Sequence, residues 1–186
     1  MLTLESLNSD NFTSVFLAIG FAEKALPIWE EKYPEDMSPR KAIEAAKEWL
    51  KNPSTAAAND AYAAYAAAYA AADAADAAAA TDAFALYPSS QAWAARTAAY
   101  AAAAAANAAY AARAAANAAA AAADAAANAL EADKESLIHE VILENLDWIL
   151  QYKIENGQGF AQPELIFDYL IEEQKQSFLF NLDAVA

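Results

Sequence analysis

Apolar side chains near the start of the chain recur every three or four positions, which is the spacing of a helix. The pattern predicts a first helix over residues 9–25, whose buried face holds Phe12, Val15, Phe16, Ile19 and Ala22. Pro27 then either kinks this helix or opens a short new one. Ser38 is the predicted N-cap of a second helix, with Pro39 in its first turn.

Residues 56–129 consist almost entirely of alanine, which has the highest helix propensity of all residues. The segment 84–90, which contains Pro88, interrupts this region. We therefore predict two long helices, about 54–84 and 90–130, joined by a short turn. Short connections favour antiparallel neighbours.

Polar and aromatic residues form one stripe on each alanine helix, because they fall within a limited arc at 100° per residue. The stripe on the first helix is Tyr62, Tyr65, Tyr69, Asp73 and Asp76; the second is Arg96, Tyr100, Asn107, Tyr110, Arg113, Asn117, Asp124, Asn128 and Glu131. Either the alanine faces are internal and the stripes face water, or the tyrosines form the core. We expect a mixture, in which alanine faces pack closely and tyrosines cover the seams with their hydroxyls outward.

A further helix is predicted over residues 134–153, with two opposite faces. Its apolar face holds Ile138, Val141, Ile142, Asn145, Ile149 and Tyr152. The row Asp133, Glu140, Glu144 and Asp147 shares the other face. A last helix begins at Gln162-Pro163, and we expect the apolar segment 178–182 to dock on the body of the protein.

Strand patterns are nearly absent, so the predicted fold class is all-α. We expect one domain over 1–186, an antiparallel helical bundle with two long alanine-rich helices in the middle. Its parts are N-terminal helices over 9–53, an alanine-rich hairpin over 54–130 and acidic helices over 131–186. Alanine supplies 58 residues and inflates the apolar fraction of 59%, so no membrane span is expected. The N-terminal residues lack the basic and apolar regions of a signal peptide, which favours a cytoplasmic protein.

The formal net charge is −15, and the segment 130–186 holds twelve of the 26 acidic residues against three basic ones. Binding to nucleic acid requires a basic face, so direct nucleic-acid contact is not expected. An acidic surface attracts basic protein partners, although the same charge also serves solubility alone.

The residues needed for common catalytic and metal sites are missing. There is no cysteine, and His139 is the only histidine, which we place at a surface or boundary position. Asp73 and Asp76 share a helix face but lack the Glu-x-x-His motifs of di-metal bundles. We therefore predict no catalytic residues, no metal, no cofactor and no enzymatic activity.

The row Asp133, Glu140, Glu144 and Asp147 is the candidate partner-binding surface. Four carboxylates on one helix face suit docking of a basic protein. The alternative is an ordinary solvated face. The wide alanine faces could also pair between two copies of the chain, giving a homodimer.

The segment 22–50 contains Leu26-Pro27-Ile28-Trp29-Glu30, then Tyr33-Pro34-Glu35, then Pro39-Arg40-Lys41-Ala42-Ile43, and Trp49. Through this segment, the chain resembles the alanine-rich putative immunity proteins of bacterial polymorphic toxin systems. The resemblance covers residues 12–80, and over 90–130 it holds by composition alone. The resemblance implies a small cytoplasmic helical protein that binds and blocks a cognate toxin. Here the alanine helices carry Tyr, Asp and Asn where relatives tend to have His and Arg, and the tail from 134 is longer and more acidic.

The leading hypothesis is therefore a non-catalytic immunity-type inhibitor that occludes a basic toxin, such as a nuclease. A close alternative is a phage-type inhibitor of a nucleic-acid-targeting defence complex, acting by acidic DNA mimicry. A third class is a structural or ice-binding alanine-rich protein, which would need regularly spaced threonines. The alanine region holds only Thr81 and Thr97.

Overall fold

The computed structural model describes residues 2–4, 7, 10–81, 90–110, 115–160, 162 and 166–170. Seven helices and no strands occur within these ranges, which confirms the all-α class. The helices are α1 (Asn11–Lys32), α2 (Ser38–Lys51), α3 (Thr55–Thr81), α4 (Ser90–Tyr110), α5 (Ala115–Ala129), α6 (Lys134–Glu144) and α7 (Leu146–Glu155). The antiparallel direction of neighbouring helices stays a prediction.

The chain divides into two compact units. The alanine-rich unit comprises Asp10–Lys134 and contains α1 to α5. The acidic unit comprises Met1–Ser9 and Glu135–Ala186, and contains α7 and nearly all of α6. The expectation of one domain over the whole chain stays a prediction.

Helix α1 is longer than the predicted 9–25, because it continues through Pro27 to Lys32. Asp10 caps its start by accepting the Thr13 N–H at 2.9 Å. By length and composition α1 is apolar enough to cross a membrane, and 61% of its most apolar window is buried inside the structure. Core helices of soluble proteins share these properties, so the expected lack of a membrane span stays a prediction.

The segment that carries the family resemblance builds the corner between α1 and α2. Trp29 is 1% exposed, and its indole N–H donates to the Asp36 carbonyl at 3.0 Å. Arg40 pairs with Glu30 across the corner. Ser38 is the first residue of α2 rather than its N-cap, and its N–H donates to the Asp36 carboxylate at 2.8 Å. The Asp36 carboxylate therefore makes the hydrogen bond at the start of α2, where Ser38 was expected to be the N-cap.

Helix α4 is the centre of the alanine-rich unit, because α1, α2, α3 and α5 all pack against it. Among the side chains of α4 that the structure describes, the buried ones are nearly all methyl groups: Ala95, Ala98, Ala99, Ala101, Ala102, Ala103, Ala105 and Ala106. Small side chains allow helix axes to approach the lower end of the usual spacing of about 8–10 Å. Larger core residues come mainly from α1, where Phe21 and Leu17 are fully buried.

The prediction of one long helix over 90–130 is wrong. The region forms two helices, α4 and α5, and α5 packs against α4. A continuous helix of this length would extend about 60 Å and leave one end without neighbours. Packing as two helices buries a second alanine face, which includes Ala122, Ala123 and Ala126. Residues 111–114, where the chain passes from one helix to the next, lie outside the described residues.

The prediction of one helix over 134–153 is also wrong, because the helix is interrupted at Asn145. The Asn145 side chain donates to the Val141 carbonyl at 2.7 Å, the acceptor that its own backbone N–H would use in a helix. That backbone N–H donates to Ile142 at 3.2 Å instead. Helix α7 then begins at Leu146.

Both helices of the acidic unit bury one apolar face, as the periodicity predicts. Its members are Leu137, Ile138, Val141, Ile142, Leu146, Ile149 and Leu150. Asn145 and Tyr152, expected on this face, are only half-buried. Lys153 is buried at 1% exposure, with its ammonium 5.3 Å from the centroid of the Phe160 ring.

The predicted last helix and the segment 178–182 fall mainly outside the described residues. Within the range that is described, 166–170 form a short helical turn. Ile166 and Leu170 are buried and Tyr169 is 38% exposed. Docking of 178–182 stays a prediction.

Candidate functional site

Three of the four predicted carboxylates share the solvent side of the acidic unit. Glu140 and Glu144 stand one turn apart on α6, and Asp147 lies in the first turn of α7. All three are exposed, while the opposite side of both helices is buried. Asp133 is also exposed, but it belongs to the alanine-rich unit and is therefore left out of this surface.

Two large apolar side chains stand exposed among these carboxylates. Leu143 is 39% exposed and Trp148 is 37% exposed. Together they define what we call the acidic–aromatic face: Glu140, Leu143, Glu144, Asp147, Trp148, Gln151 and Glu155. Protein–protein interfaces combine exposed apolar and polar side chains, and tryptophan is enriched among the residues that dominate their binding energy. The arrangement suits binding rather than catalysis.

Sequence reasoning found the carboxylates of this face and missed its apolar part. Leu143 is out of phase with the apolar positions 138, 141, 142 and 149, which was the available signal. Trp148 is seven residues from Val141, the spacing of one helix face, so the periodicity groups it with the buried residues and gave no signal. Glu155 was missed because it lies beyond the predicted helix end at 153. It is exposed in the last turn of α7.

The tyrosines of the alanine-rich unit whose side chains are described lie at the surface over a helix seam, which is the expected mixture of the two interpretations. Tyr62 and Tyr69 are 49% and 43% exposed, and Tyr65 and Tyr100 are half-buried. Neighbouring rings lie 6.0 Å apart for Tyr62–Tyr65, 5.8 Å for Tyr65–Tyr69 and 5.1 Å for Tyr69–Tyr100. The last pair joins α3 to α4, so the tyrosines cover a helix seam.

Tyr100 ties this seam with a hydrogen bond as well. Its hydroxyl donates to Asp73 at 2.9 Å, and the Arg96 guanidinium lies 5.3 Å from its ring centroid. Burial, and then the hydrogen bond to Asp73, raise the pKa of the Tyr100 phenol above its ordinary value. Asp73 thus serves packing between helices. The side chain of Asp76 lies outside the described residues.

Metal-binding geometry is absent from the described part of the chain, where no three His, Asp or Glu residues converge. His139 holds the acidic unit together instead. Its Nδ1 accepts the Leu2 N–H at 3.0 Å, and its ring meets Tyr169 edge-on at 5.1 Å. These contacts give the only histidine of the chain a structural role at the boundary of the unit.

Thr97 bears on the ice-binding class. It is 7% exposed on the central helix α4. An ice-binding surface would present its threonines to water. The side chain of Thr81 lies outside the described residues. Thr97 is therefore the threonine of the alanine region whose position is described, and its burial makes it unsuited to that role.

Comparison of the chain with protein-family models, curated proteins and solved structures gave no match. The resemblance of residues 12–80 to immunity proteins therefore stays a prediction.

Proposed function

We propose that this protein is a non-catalytic, cytoplasmic inhibitor of the immunity type, which neutralises a basic toxin by occluding its active surface. The single observation that carries the proposal is the acidic–aromatic face. Trp148 and Leu143 supply exposed apolar area, and Glu140, Glu144 and Asp147 add exposed negative charge on the same two helices. The family resemblance of the α1–α2 corner supports the same class.

Physical arguments favour a basic partner for this face. The chain carries a formal net charge of −15, so a cationic protein gains attraction at long range. Carboxylates on the rim steer the encounter, and desolvation of the apolar centre stabilises the complex. For a nuclease, the carboxylates would stand where substrate phosphates bind, which blocks the active site without any catalysis by the inhibitor.

Affinity capture from extracts of the native host tests the proposal with three baits. These are the wild type, a variant with Glu140→Lys, Glu144→Lys and Asp147→Lys, and a control with Glu31→Lys, Glu35→Lys and Glu44→Lys. The control residues are exposed in the alanine-rich unit and receive the same charge change. Circular dichroism confirms that all three retain their helices.

We expect the wild type and the control to retain the same basic protein, and the first variant to lose it. The captured protein, expressed alone, should arrest growth of a heterologous host, and coexpression with the wild type should restore growth. Equal capture by all three baits would refute the choice of face. A captured protein without toxicity would refute the immunity function, and a nucleic-acid-guided complex in its place would select the phage-type alternative.

A further inference from the structure

Helix α7 carries a small open groove within the acidic–aromatic face. Its volume is about 340 Å³, and its walls are Asp147, Trp148, Gln151, Tyr152 and Glu155. Ligand pockets for whole small molecules range from about 300 to 1,000 Å³. A groove at the lower end of this range suits a single extended side chain better than a folded peptide segment.

Two aromatic rings form the apolar wall of the groove. The rings of Trp148 and Tyr152 are stacked one helical turn apart, with planes 4° apart and centroids 5.3 Å apart. Trp148 is 37% exposed, so part of this aromatic surface faces solvent. The face of an aromatic ring attracts cations, and tryptophan does so most strongly.

Two carboxylates, Asp147 and Glu155, line the groove together with the aromatic pair. Asp147 precedes Trp148 in the sequence, and Glu155 lies one turn beyond Gln151. The Gln151 amide donates to a Glu155 carboxylate oxygen at 2.8 Å, which orients that carboxylate. A cation in the groove would therefore meet negative charge as well as an aromatic face, and a carboxylate can accept two parallel hydrogen bonds from a guanidinium.

We infer that the groove binds an arginine side chain of the basic partner, with its guanidinium stacked on the exposed face of the Trp148 ring. The guanidinium is planar and weakly hydrated, so it stacks flat on an aromatic ring while its edge N–H groups reach a carboxylate. A lysine ammonium carries the same charge but is compact and strongly hydrated, and it cannot stack. The inference rests on the proposed function for the source of the arginine, and adds how that partner is recognised.

Fluorescence anisotropy of the full-length protein with three labelled peptides tests the inference. The peptides share a glycine–serine backbone and carry two arginines, two lysines or two citrullines. We expect the wild type to bind the arginine peptide at least about threefold more tightly than the lysine peptide, as a cation–π contribution predicts. The citrulline peptide, which keeps the shape and loses the charge, should bind most weakly.

Variants of the groove test which residues produce the preference for the arginine peptide. Trp148→Leu keeps an apolar side chain and should bind the arginine and lysine peptides equally. A variant with Asp147→Asn and Glu155→Gln should weaken binding of the arginine peptide more than a control with Glu31→Gln and Glu35→Gln. Equal affinity of the wild type for the arginine and lysine peptides would overturn the inference, as would a preference that survives in Trp148→Leu.

The peptide assay needs no natural partner, so its result is independent of the capture experiment. Equal affinity of the wild type for the arginine and lysine peptides, alongside capture that depends on Glu140, Glu144 and Asp147, would refute the groove and leave the proposed function intact. A clear arginine preference alongside a captured protein without toxicity would refute the proposed function alone.

Discussion

Tyr100 is the residue whose ionisation couples most directly to helix packing. Its pKa is raised in the folded protein by burial and by the hydrogen bond to Asp73. A raised folded pKa means that the stabilisation is fully present below the unfolded pKa, about 10 for tyrosine, and is lost as the pH rises through the folded value. Alkaline conditions should therefore weaken the α3–α4 seam.

Substitution Tyr100→Phe tests this coupling. The variant should have a lower free energy of unfolding than the wild type at neutral pH, and the difference should shrink as the pH rises above about 10, where the phenol of the unfolded chain ionises. Urea denaturation at a series of pH values measures it. Tyr169→Phe is the control, because Tyr169 is exposed and lies outside this cluster. A difference that stays constant with pH would contradict the assigned role of the hydroxyl.

Trp29 is the second residue with a defined energetic role. Trp29→Phe removes the indole N–H that the Asp36 carbonyl accepts and leaves part of a buried site unfilled. We expect a loss of about 1–3 kcal/mol in the free energy of unfolding, measured by chemical denaturation. Trp148→Phe, at an exposed position, should change it by less than about 0.5 kcal/mol. Equal effects would mean that the α1–α2 corner does not depend on Trp29.

At this scale the sequence predicts charged positions better than apolar ones. Glu140, Glu144 and Asp147 were placed in solvent because their spacing opposes the apolar face, and desolvation of a carboxylate is costly. Trp148 is a large apolar residue that is exposed, and Lys153 is a charged residue that is buried, the opposite of the usual distribution. Lys153 lies beside the Phe160 ring, in the segment that follows α7, and the apolar periodicity of residues 134–153 does not include that segment.

At the scale of elements, the stability of the alanine-rich unit depends on close packing around α4. Ala102→Leu adds a larger side chain at a position with 0% exposure, so we expect a loss of about 1–3 kcal/mol or more from overpacking. Ala67→Leu makes the same change at an exposed position on α3. Because alanine and leucine have similar helix propensities, this control should be nearly neutral.

Thermal and chemical denaturation of the two variants measure the difference. Similar stabilities for Ala102→Leu and Ala67→Leu would show that the alanine face of α4 is not closely packed. That result would also remove the physical reason for alanine at these positions.

The helix breaks show which elements a sequence can predict. The break before α4 was predicted because Pro88 cannot continue a helix, a property of the residue itself. The break between Tyr110 and Ala115 falls among good helix formers, and it is explained by the packing of α5 against α4. The interruption at Asn145 depends on a side chain that competes for one carbonyl, which the apolar periodicity concealed.

For the whole molecule, the proposal assigns a different role to each of the two units. The alanine-rich unit contains the α1–α2 corner, on which the proposed family resemblance rests, and its tyrosines cover a seam between helices. The acidic unit presents the acidic–aromatic face. The excess of negative charge could be predicted from the composition. The exposure of Trp148 on the same helices as the carboxylates could be seen only in the folded structure of α6 and α7.

Calorimetric titration of the captured basic protein tests the central claim most directly. The wild type is compared with a variant carrying Glu140→Gln, Glu144→Gln and Asp147→Gln, and with a control carrying Glu31→Gln, Glu35→Gln and Glu44→Gln. We predict that the first variant binds at least about tenfold more weakly, or about 1.4 kcal/mol, while the control matches the wild type. Equal affinities for all three proteins would contradict a partner-binding role for the acidic–aromatic face.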